Sequence, residues 1–418
     1  MIHRRYEYSK AGELLRQIDK HRGATDYKYD AIGQLRSREP HHPQLGNEDF
    51  GYDPAGNLSA SQALSPDNRL KAWKDLRLTY DAWGNVSERH SSNGYQRFTY
   101  DCENRLVKAE TYRGHDSLSQ ASYEYDCLGR RIAKHVLTEN KTETTRFIWQ
   151  GLRMLQEQKA DLYSLYIYEQ GSYAPLARLD TDPSQPDQKP KRYYFHTDQI
   201  GTPLEVTDDS GRMVWRAYYR AWGALEALTP REIEQNLRFQ GQYYDAETGL
   251  HYNTFRYYDP AVGRFTAQDP IGLLGGINLY NYGDNPAVWI DPTGLTCSSD
   301  ARKLASNLGP KPIGGGQYDA HHIIMSNSKD WRMVALRKKM EDLGIDINYR
   351  KNGIWLPNTS KARVPGTTTT AHKGEGVHSN IYKQYVYDKL INRADKKSFL
   401  TELSEIKSSL NKGMVFNK

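Results

Sequence analysis

A tyrosine-aspartate motif recurs through the first part of this 418-residue chain and limits the folds open to it. Its form is Tyr-Asp-x-x-Gly/Asn-x-Leu or a close variant, and the copies follow one another at intervals of 20–28 residues, starting at Tyr29, Tyr52, Tyr80, Tyr100 and Tyr125. Each copy predicts a strand that ends in Tyr, a turn that begins at Asp with Gly at its positive-φ position, and a second strand. One such hairpin cannot bury its own apolar face, so the copies are expected to stack into an array.

Tyrosine content supports the same β-rich prediction. The chain has 31 Tyr beside 9 Phe. Tyrosine is enriched in strands, where its ring packs on a neighbour. We expect these rings to be packed and their hydroxyl groups to stay in water.

The chain lacks the sequence signs of a secreted disulfide protein or a membrane span. Its apolar runs are shorter than the ~20 residues that cross a bilayer, and the segment after Met1 has no apolar signal-peptide region. Cys102, Cys127 and Cys297 form neither a disulfide framework nor a zinc-binding spacing. Synthesis in a reducing cytoplasm is expected, with no membrane insertion by this chain and with any export by another route.

Composition changes abruptly after Leu295. Residues 296–418 carry 21 Lys and Arg against 11 Asp and Glu, whereas the preceding part carries 36 against 40. A basic segment on a mildly acidic body predicts a polyanionic partner for the tail, although a solvated lysine-rich surface would look the same. Apolar spacing predicts an α+β tail, with its elements expected at Ser328–Leu343 (helix), 345–357 (hairpin), 379–391 (helix) and 397–410 (helix).

Two adjacent histidines, His321 and His322, end a glycine-rich segment and precede a β-branched pair. Neighbouring side chains on a strand point to opposite faces, so one imidazole can bind a metal while the other faces a reacting phosphate. Further candidate groups follow at Asn352, His372 and His378, the last at the predicted start of a helix.

A second chemical motif is a pair of Asp-Pro dipeptides. Asp269 precedes Pro270, and Asp291 opens the segment Asp-Pro-Thr-Gly-Leu that ends at Leu295. Two neighbouring carboxylates can share one proton and act as base and acid. Both dipeptides are also ordinary turn starters.

The repeats resemble the YD repeats of the Rhs family, and residues 191–295 resemble its core-associated domain. The resemblance rests on the segments Tyr193–Pro203, Arg256–Pro260 and Asp291–Leu295. It implies a multidomain chain: a YD-repeat β array at 1–185, a core-associated domain at 186–295 and a toxin domain at 296–418. The array is shorter than those of the family, so we expect a partial cocoon. The family's Asp pair implies autoproteolysis between Leu295 and Thr296 by Asp269 and Asp291.

The tail resembles the AHH nucleases of the HNH/endonuclease VII superfamily, which have ββα-metal sites. By this resemblance His322 is the general base, and His321 and His378 are ligands of a divalent ion, Mg²⁺ or Zn²⁺. His372 is a candidate third ligand. Asn352 would orient the base through a side-chain hydrogen bond; Asn358 is the alternative, because Asn352-Gly353 is also a common type I′ turn.

These resemblances imply a secreted interbacterial toxin whose tail is a metal-dependent DNase. It would be made in the bacterial cytoplasm, exported by a type VI spike or related machinery, delivered into the target-cell cytoplasm, and neutralised in the producer by an immunity protein. An RNase tail and a non-enzymatic adhesion or carbohydrate-binding protein are the alternatives. The basic residues expected to contact DNA are Lys338, Lys339, Arg350, Lys351, Lys361 and Arg363.

Overall fold

The computed structural model describes most of the chain in two compact units. The described residues are 2–9, 13–30, 33–53, 55–58, 66–114, 116–139, 141–274, 278–283, 285–295, 304, 308, 312, 318–326, 328, 330–347 and 349–416. The first unit comprises Met1–Tyr8 and Glu13–Cys297, and the main part of the second is Ser298–Lys418.

Antiparallel sheets build the first unit, and strands adjacent in sequence are adjacent in each sheet. A five-stranded sheet contains β1–β5: Arg4–Tyr8, Leu14–Asp19, Gly23–Tyr29, Leu35–Pro40 and Glu48–Asp49. A 15-stranded sheet contains β6–β20: Ala72–Trp73, Leu76–Tyr80, Val86–Ser91, Gly94–Tyr100, Leu106–Arg113, Asp116–Tyr125, Arg131–Thr138, Lys141–Gln150, Arg153–Gln158, Tyr163–Tyr168, Pro175–Thr181, Lys191–Thr197, Pro203–Asp208, Met213–Tyr219 and Leu225–Arg231. A four-stranded sheet contains β21–β24: Tyr243–Asp245, Leu250–Asn253, Arg256–Asp259 and Arg264–Phe265. The predicted all-β array is confirmed.

The YD motif forms the predicted turn. After β7 ends at Tyr80, Oδ1 of Asp81 accepts hydrogen bonds from the backbone N–H groups of Trp83 and Asn85, at 2.9 and 2.8 Å. Gly84 has φ of 86°, a conformation that costs other residues more than glycine. In the one copy without glycine, Asn104 takes this position with φ of 60°. Asparagine tolerates that region better than most side chains.

The motif tyrosines do more than pack their rings. The hydroxyl of Tyr52 donates to the carbonyl of Leu35 at 2.8 Å, and that of Tyr125 donates to Leu106 at 2.6 Å. Each acceptor is the Leu of the preceding copy. The expectation that these hydroxyls stay in water was wrong at these positions, because a buried O–H needs a partner and the backbone of the neighbouring copy supplies one.

The large sheet continues beyond the expected boundary at residue 185 and ends with β20. Backbone pairing does not require the YD motif, so hairpins without it extend the same sheet. A buried ionic network joins this sheet to the four-stranded one: Asp245 lies 2.5 Å from Arg131 Nη1 and 2.9 Å from Lys134 Nζ. Such pairing offsets the high cost of burying each charge.

The second unit contains one two-stranded sheet and three helices among its described residues. Strand β25 (Tyr318–His322) pairs antiparallel with β26 (Gly353–Pro357). The helices are α1 (Trp331–Asp342), α2 (Asn380–Leu390) and α3 (Lys396–Asn411). Their apolar faces share a core with the strands, which agrees with the expected small α+β domain.

Two local predictions for the tail were wrong. Helix α1 begins after Asp330, not Ser328, because the Asp330 carboxylate accepts from the Arg332 N–H and caps the helix. Residues 345–357 do not form a hairpin of their own. Gly353 opens β26, and Asn352 ends a 3-10 turn, Arg350–Asn352. The strand pairs with the distant His-His strand instead, because that pairing buries Ile354 and Leu356.

Among the helices that the structure describes, none combines the length and apolar character needed to cross a bilayer.

Candidate functional sites

The short sheet of the tail fixes the two adjacent histidines. In its register His321 lies opposite Ile354, and His322 lies opposite Gly353. Both imidazoles are almost fully buried, at 4% and 6% exposure. Gly353 is required by close packing, since a Cβ there would lie 2.2 Å from a side-chain carbon of Leu304.

Three histidines converge at one point. His321, His372 and His378 each offer a ring nitrogen, and these atoms lie within 4.8 Å of one another. Nε2 of His378 is 2.9 Å from Nε2 of His372. His321 comes from β25, and the other two come from the loop that leads into α2, where Ser379 caps the helix. The structure therefore brings together all three residues expected to be metal ligands.

The carboxylate of Asp319 contacts His372 on the side of the ring that faces away from the histidine cluster. Oδ2 of Asp319 lies 3.1 Å from Nδ1 of His372 and accepts a 2.8 Å hydrogen bond from the Asn358 amide. With Nδ1 occupied by this contact, Nε2 is the nitrogen that faces the cluster. Carboxylate contacts of this kind commonly fix the orientation of metal-binding histidines. Asn358 thus contacts the carboxylate that holds His372.

His321 has a fixed ring and a low proton affinity. Its Nε2 lies 3.3 Å from the Tyr382 hydroxyl, which donates to the carbonyl of Ile323 at 3.0 Å. Burial, followed by the charges of His372, His378 and His322, holds the pKa of His321 well below its usual range. Burial also lowers the pKa of His378, with help from His372 and Lys383. Neutral imidazoles are the form that binds metals.

Asn352 is fully buried next to His322, but its amide bonds to the backbone. Its Oδ1 accepts from the Ile324 N–H at 2.8 Å, and its Nδ2 donates to the carbonyls of Ile324 and Ile347 at 3.2 and 2.7 Å. The side-chain bond expected to His322 is replaced by these contacts. Asn352 therefore fixes the backbone that follows His322.

A salt bridge anchors the loop that carries His372 and His378. Arg363 Nη2 contacts both carboxylate oxygens of Glu375, at 2.5 and 2.7 Å, and Glu375 also accepts from the Ala371 N–H at 2.6 Å. Arg363 was expected to contact DNA. Its guanidinium instead holds the segment that carries His372 and His378.

The other predicted DNA contacts lie at the surface. Lys338 is exposed on α1, 3.7 Å from Asp342, and Lys339 is half-buried beside it. Arg350 and Lys351 are exposed in the 3-10 turn before Gly353, the residue paired with His322. Lys361 is exposed in the 3-10 turn Ser360–Ala362.

In the first unit, a buried arginine brings the two aspartates together. Nη2 of Arg256 lies 3.0 Å from Asp269 Oδ2 and 3.6 Å from Asp291 Oδ2. All three side chains are at most 2% exposed. Burial lowers the pKa of Arg256 to about 10, and the two carboxylate charges act in the opposite direction.

The segment before the predicted cleavage point is docked on the β22–β23 turn. The Asn253 amide donates to the carbonyl of Asp291 at 2.8 Å, and the Phe255 N–H donates to that of Thr293 at 3.1 Å. Nε of Arg256 donates to the carbonyl of Gly294. The chain is thus held up to the residue before Leu295, while Thr296 lies outside the described residues.

Three residues of these sites were missed from sequence. Asp319 stands two positions before His321, and strand alternation places both on one face. Tyr382 follows His378 by four residues, the spacing of neighbours on a helix face. Arg256 belongs to the Arg-Tyr-Tyr-Asp-Pro motif, but nothing in the sequence indicates that it contacts the two aspartates, because only the fold brings them together.

Comparison with known families matches both parts of the chain. The Teneurin YD-shell family matches residues 5–286. A nuclease family of the HNH/ENDO VII superfamily with conserved AHH matches residues 305–411.

Curated relatives share a long stretch with this chain. A "Double-stranded DNA deaminase toxin A" of Burkholderia cenocepacia (strain H111) is 42% identical over 348 residues, which are 76% of this chain and 24% of the relative. A "Probable deoxyribonuclease RhsA" of Dickeya dadantii (strain 3937) is 30% identical over 312 residues, covering 70% of this chain and 21% of the relative. The chain thus spans about a quarter of the length of these relatives or less.

Among solved structures, the Photorhabdus luminescens Tc holotoxin pore matches with a TM-score of 0.58 at 22% identity, over 72% of this chain and 17% of the other. This likeness shows the fold of the β shell. The two family matches and the curated relatives establish that the chain belongs to the Rhs (YD-shell) family and carries a domain of the AHH nuclease family at residues 305–411.

Proposed function

We propose that the tail is a metal-dependent endonuclease and that the chain is part of an interbacterial toxin. The observation that carries the proposal is the convergence of His321, His372 and His378 beside a second strand histidine, His322. Three imidazole nitrogens around one point can hold a cation, and the next residue along the strand, His322, would be the base.

The donor set fits a divalent ion. Zinc–nitrogen bonds are about 2.0–2.1 Å long, so two nitrogens on one tetrahedral ion lie about 3.4 Å apart. The three ring nitrogens lie within 4.8 Å of one another and would have to move closer together to share one ion. Imidazole suits zinc and other transition metals, whereas Mg²⁺ prefers oxygen. We therefore favour Zn²⁺ over Mg²⁺. When bound, the ion would neutralise charge on the phosphodiester and on the departing oxygen.

The protein side chains have distinct roles in this proposal. His322 Nδ1 or Nε2 accepts a proton from the attacking water. Asp319 keeps the proton of His372 on Nδ1, so that its Nε2 lone pair faces the cluster. Asn352 fixes the backbone after His322. Arg350 and Lys351 stand just before Gly353, the residue paired with His322, and would attract the substrate phosphates.

The aspartate pair supports self-cleavage after Leu295. Both carboxylates lie against one buried guanidinium, and two carboxylates held this close can share one proton. One carboxylate would then activate water and the other would protonate the leaving amine. The bond to Gly294 holds the substrate segment against the same arginine.

DNA is the favoured substrate because relatives of this chain are described as a DNA deaminase toxin and a probable deoxyribonuclease. An RNase tail is the alternative. The toxin would be made in the cytoplasm, exported by a type VI spike or related machinery and delivered into the target-cell cytoplasm. An immunity protein, acidic where it covers the basic tail, would protect the producing cell.

The test is incubation of the full chain with plasmid DNA and with structured RNA, after removal of metal and after addition of Zn²⁺ or Mg²⁺. Nicking of plasmid that returns with Zn²⁺ and is lost in the His322→Ala variant is expected. Cleavage of RNA alone would show that the tail is an RNase rather than a DNase. Absence of cleavage of either polymer would refute the nuclease assignment.

A further inference from the structure

A groove on the tail lies apart from the histidine cluster. It has a cavity volume of about 380 Å³, and the residues that line it include Tyr318, Arg350, Trp355, Thr367, Thr369 and Lys407. This volume falls within the ~300–1,000 Å³ typical of small-ligand sites. The groove is therefore large enough to accommodate a small organic group.

The groove follows the strand face that carries His322. Residues two apart on a strand share a face, so Tyr318 and His322 lie on one face while Asp319 and His321 lie on the other. Trp355 is paired with Ala320, midway between Tyr318 and His322. Four residues of strand span about 13 Å, so a few nucleotides could reach from the groove to His322.

Two cations meet in this groove. Lys407 Nζ donates to the backbone carbonyl of Arg350 at 3.3 Å. Burial lowers the pKa of Lys407, and the charge of Arg350 lowers it further. Among the described residues, neither side chain has a carboxylate partner in the salt bridges of the tail. Two adjacent positive charges of this kind favour a bound anion.

Aromatic rings lie beside these charges. Trp355 is half-buried and is the ring available for stacking, whereas Tyr318 is buried, with its hydroxyl held by the Val364 N–H at 3.0 Å. Aromatic rings next to cations are the combination that binds single-stranded nucleic acid, through base stacking and phosphate contacts. A duplex keeps its bases stacked on each other and has none to offer the groove.

We propose that this groove binds one unpaired nucleotide of the nucleic-acid substrate, with its phosphate at Lys407 and Arg350 and its base on Trp355. The inference rests on the proposed nuclease function and adds a preference for substrates that are single-stranded on one side of the cut. Such a subsite would position the neighbouring phosphate near His322.

Binding can be measured without cleavage. The full chain with His322→Ala, in EDTA, is titrated with a fluorescein-labelled single strand of 12 nucleotides at several salt concentrations. Lys407→Gln and Arg350→Gln should each reduce the slope of log affinity against log salt by about 0.7. Trp355→Leu should weaken binding by about 5- to 150-fold, while Trp355→Phe retains most of it. Lys397→Gln, an exposed charge on the same helix, is the matched control.

The groove assignment fails if Lys407→Gln and Arg350→Gln change the slope no more than Lys397→Gln does. It also fails if a hairpin duplex of equal length binds as tightly and with the same dependence on Trp355. Neither result bears on plasmid cleavage by the chain with native His322. Failure of the groove assignment can therefore be distinguished from failure of the nuclease assignment.

Discussion

Asp319 and His372 form a contact of 3.1 Å between Oδ2 and Nδ1, and this contact decides which nitrogen of His372 faces the other two histidines. The pair joins β25 to the loop before α2, elements that are 53 residues apart in the chain. A carboxylate in this position orients the imidazole.

We predict that Asp319→Ala lowers Zn²⁺ affinity of the full chain by about 10- to 100-fold, the usual effect of losing such a partner. Asp319→Asn should lose less, because an amide oxygen can still accept from Nδ1. Calorimetric titration with Zn²⁺ measures the affinity of both variants. A purely structural role would instead lower thermal stability in both variants with affinity unchanged.

Arg363→Gln is expected to weaken Zn²⁺ binding without changing the salt dependence of DNA binding. Its guanidinium holds Glu375, which lies between His372 and His378 in the chain, so its loss loosens both ligands. Glu375→Gln should have the same effect on metal affinity. Lys361→Gln, which removes a nearby exposed charge, is the comparison for Zn²⁺ affinity and should leave it unchanged. If Arg363→Gln changes the salt dependence of DNA affinity but leaves Zn²⁺ affinity normal, Arg363 contacts DNA as first expected.

Strand alternation and repeat period predicted much of this molecule, because both depend on local geometry. The YD turns and the neighbouring positions of His321 and His322 follow from such rules. The partner of the His-His strand did not, because the pairing of β25 with β26 spans α1 and depends on which apolar faces meet in the core. That error also gave Asn352 the wrong hydrogen-bond partner. Arg256 was missed for the same reason, since its neighbours come from distant segments.

A half-buried turn aspartate gives the first unit a predictable pH dependence. Oδ1 of Asp198 accepts from the Ile200 and Thr202 N–H groups, and burial raises the pKa of this carboxyl to about 6. The folded state then binds the proton more tightly than the unfolded state, whose value is about 3.9. The contribution of Asp198 to stability is therefore present below about pH 4 and is lost as pH rises through about 6.

Asp198→Asn should keep the turn and remove the charge. We expect its melting temperature to exceed that of the wild type by a few degrees at pH 8, corresponding to about 1–3 kcal/mol, and to match it near pH 4. Asp208→Asn is the control, since hydrogen bonds from Ser210 and Arg212 lower the pKa of Asp208; that variant should lose stability at pH 8. Equal melting curves for Asp198→Asn and wild type at pH 8 would contradict the assignment.

Self-cleavage predicts two fragments. Dividing the 48.1 kDa chain in proportion to residue number at Leu295 gives products of about 34 and 14 kDa. Asp269→Asn and Asp291→Asn, which preserve side-chain shape, should leave a single band at full mass. Asp182→Asn, in a half-buried Asp-Pro turn away from the Arg256 site, should cleave normally. An uncut wild-type chain by intact mass spectrometry, or normal cleavage in both pair variants, would rule out this role.

The roles of the adjacent histidines can be separated by measuring metal binding and cleavage together. If His322 is the base, His322→Ala should reduce plasmid nicking by about 10²–10⁴-fold while Zn²⁺ affinity is largely retained. His321→Ala and His378→Ala should lower both quantities, because each removes a nitrogen from the cluster. His90→Ala, an exposed histidine of β8, should change neither. Should His322→Ala lose Zn²⁺ binding while His321→Ala keeps it, the two residues exchange roles, and the face of β25 that holds the metal would be the one shared by Tyr318 and Ala320.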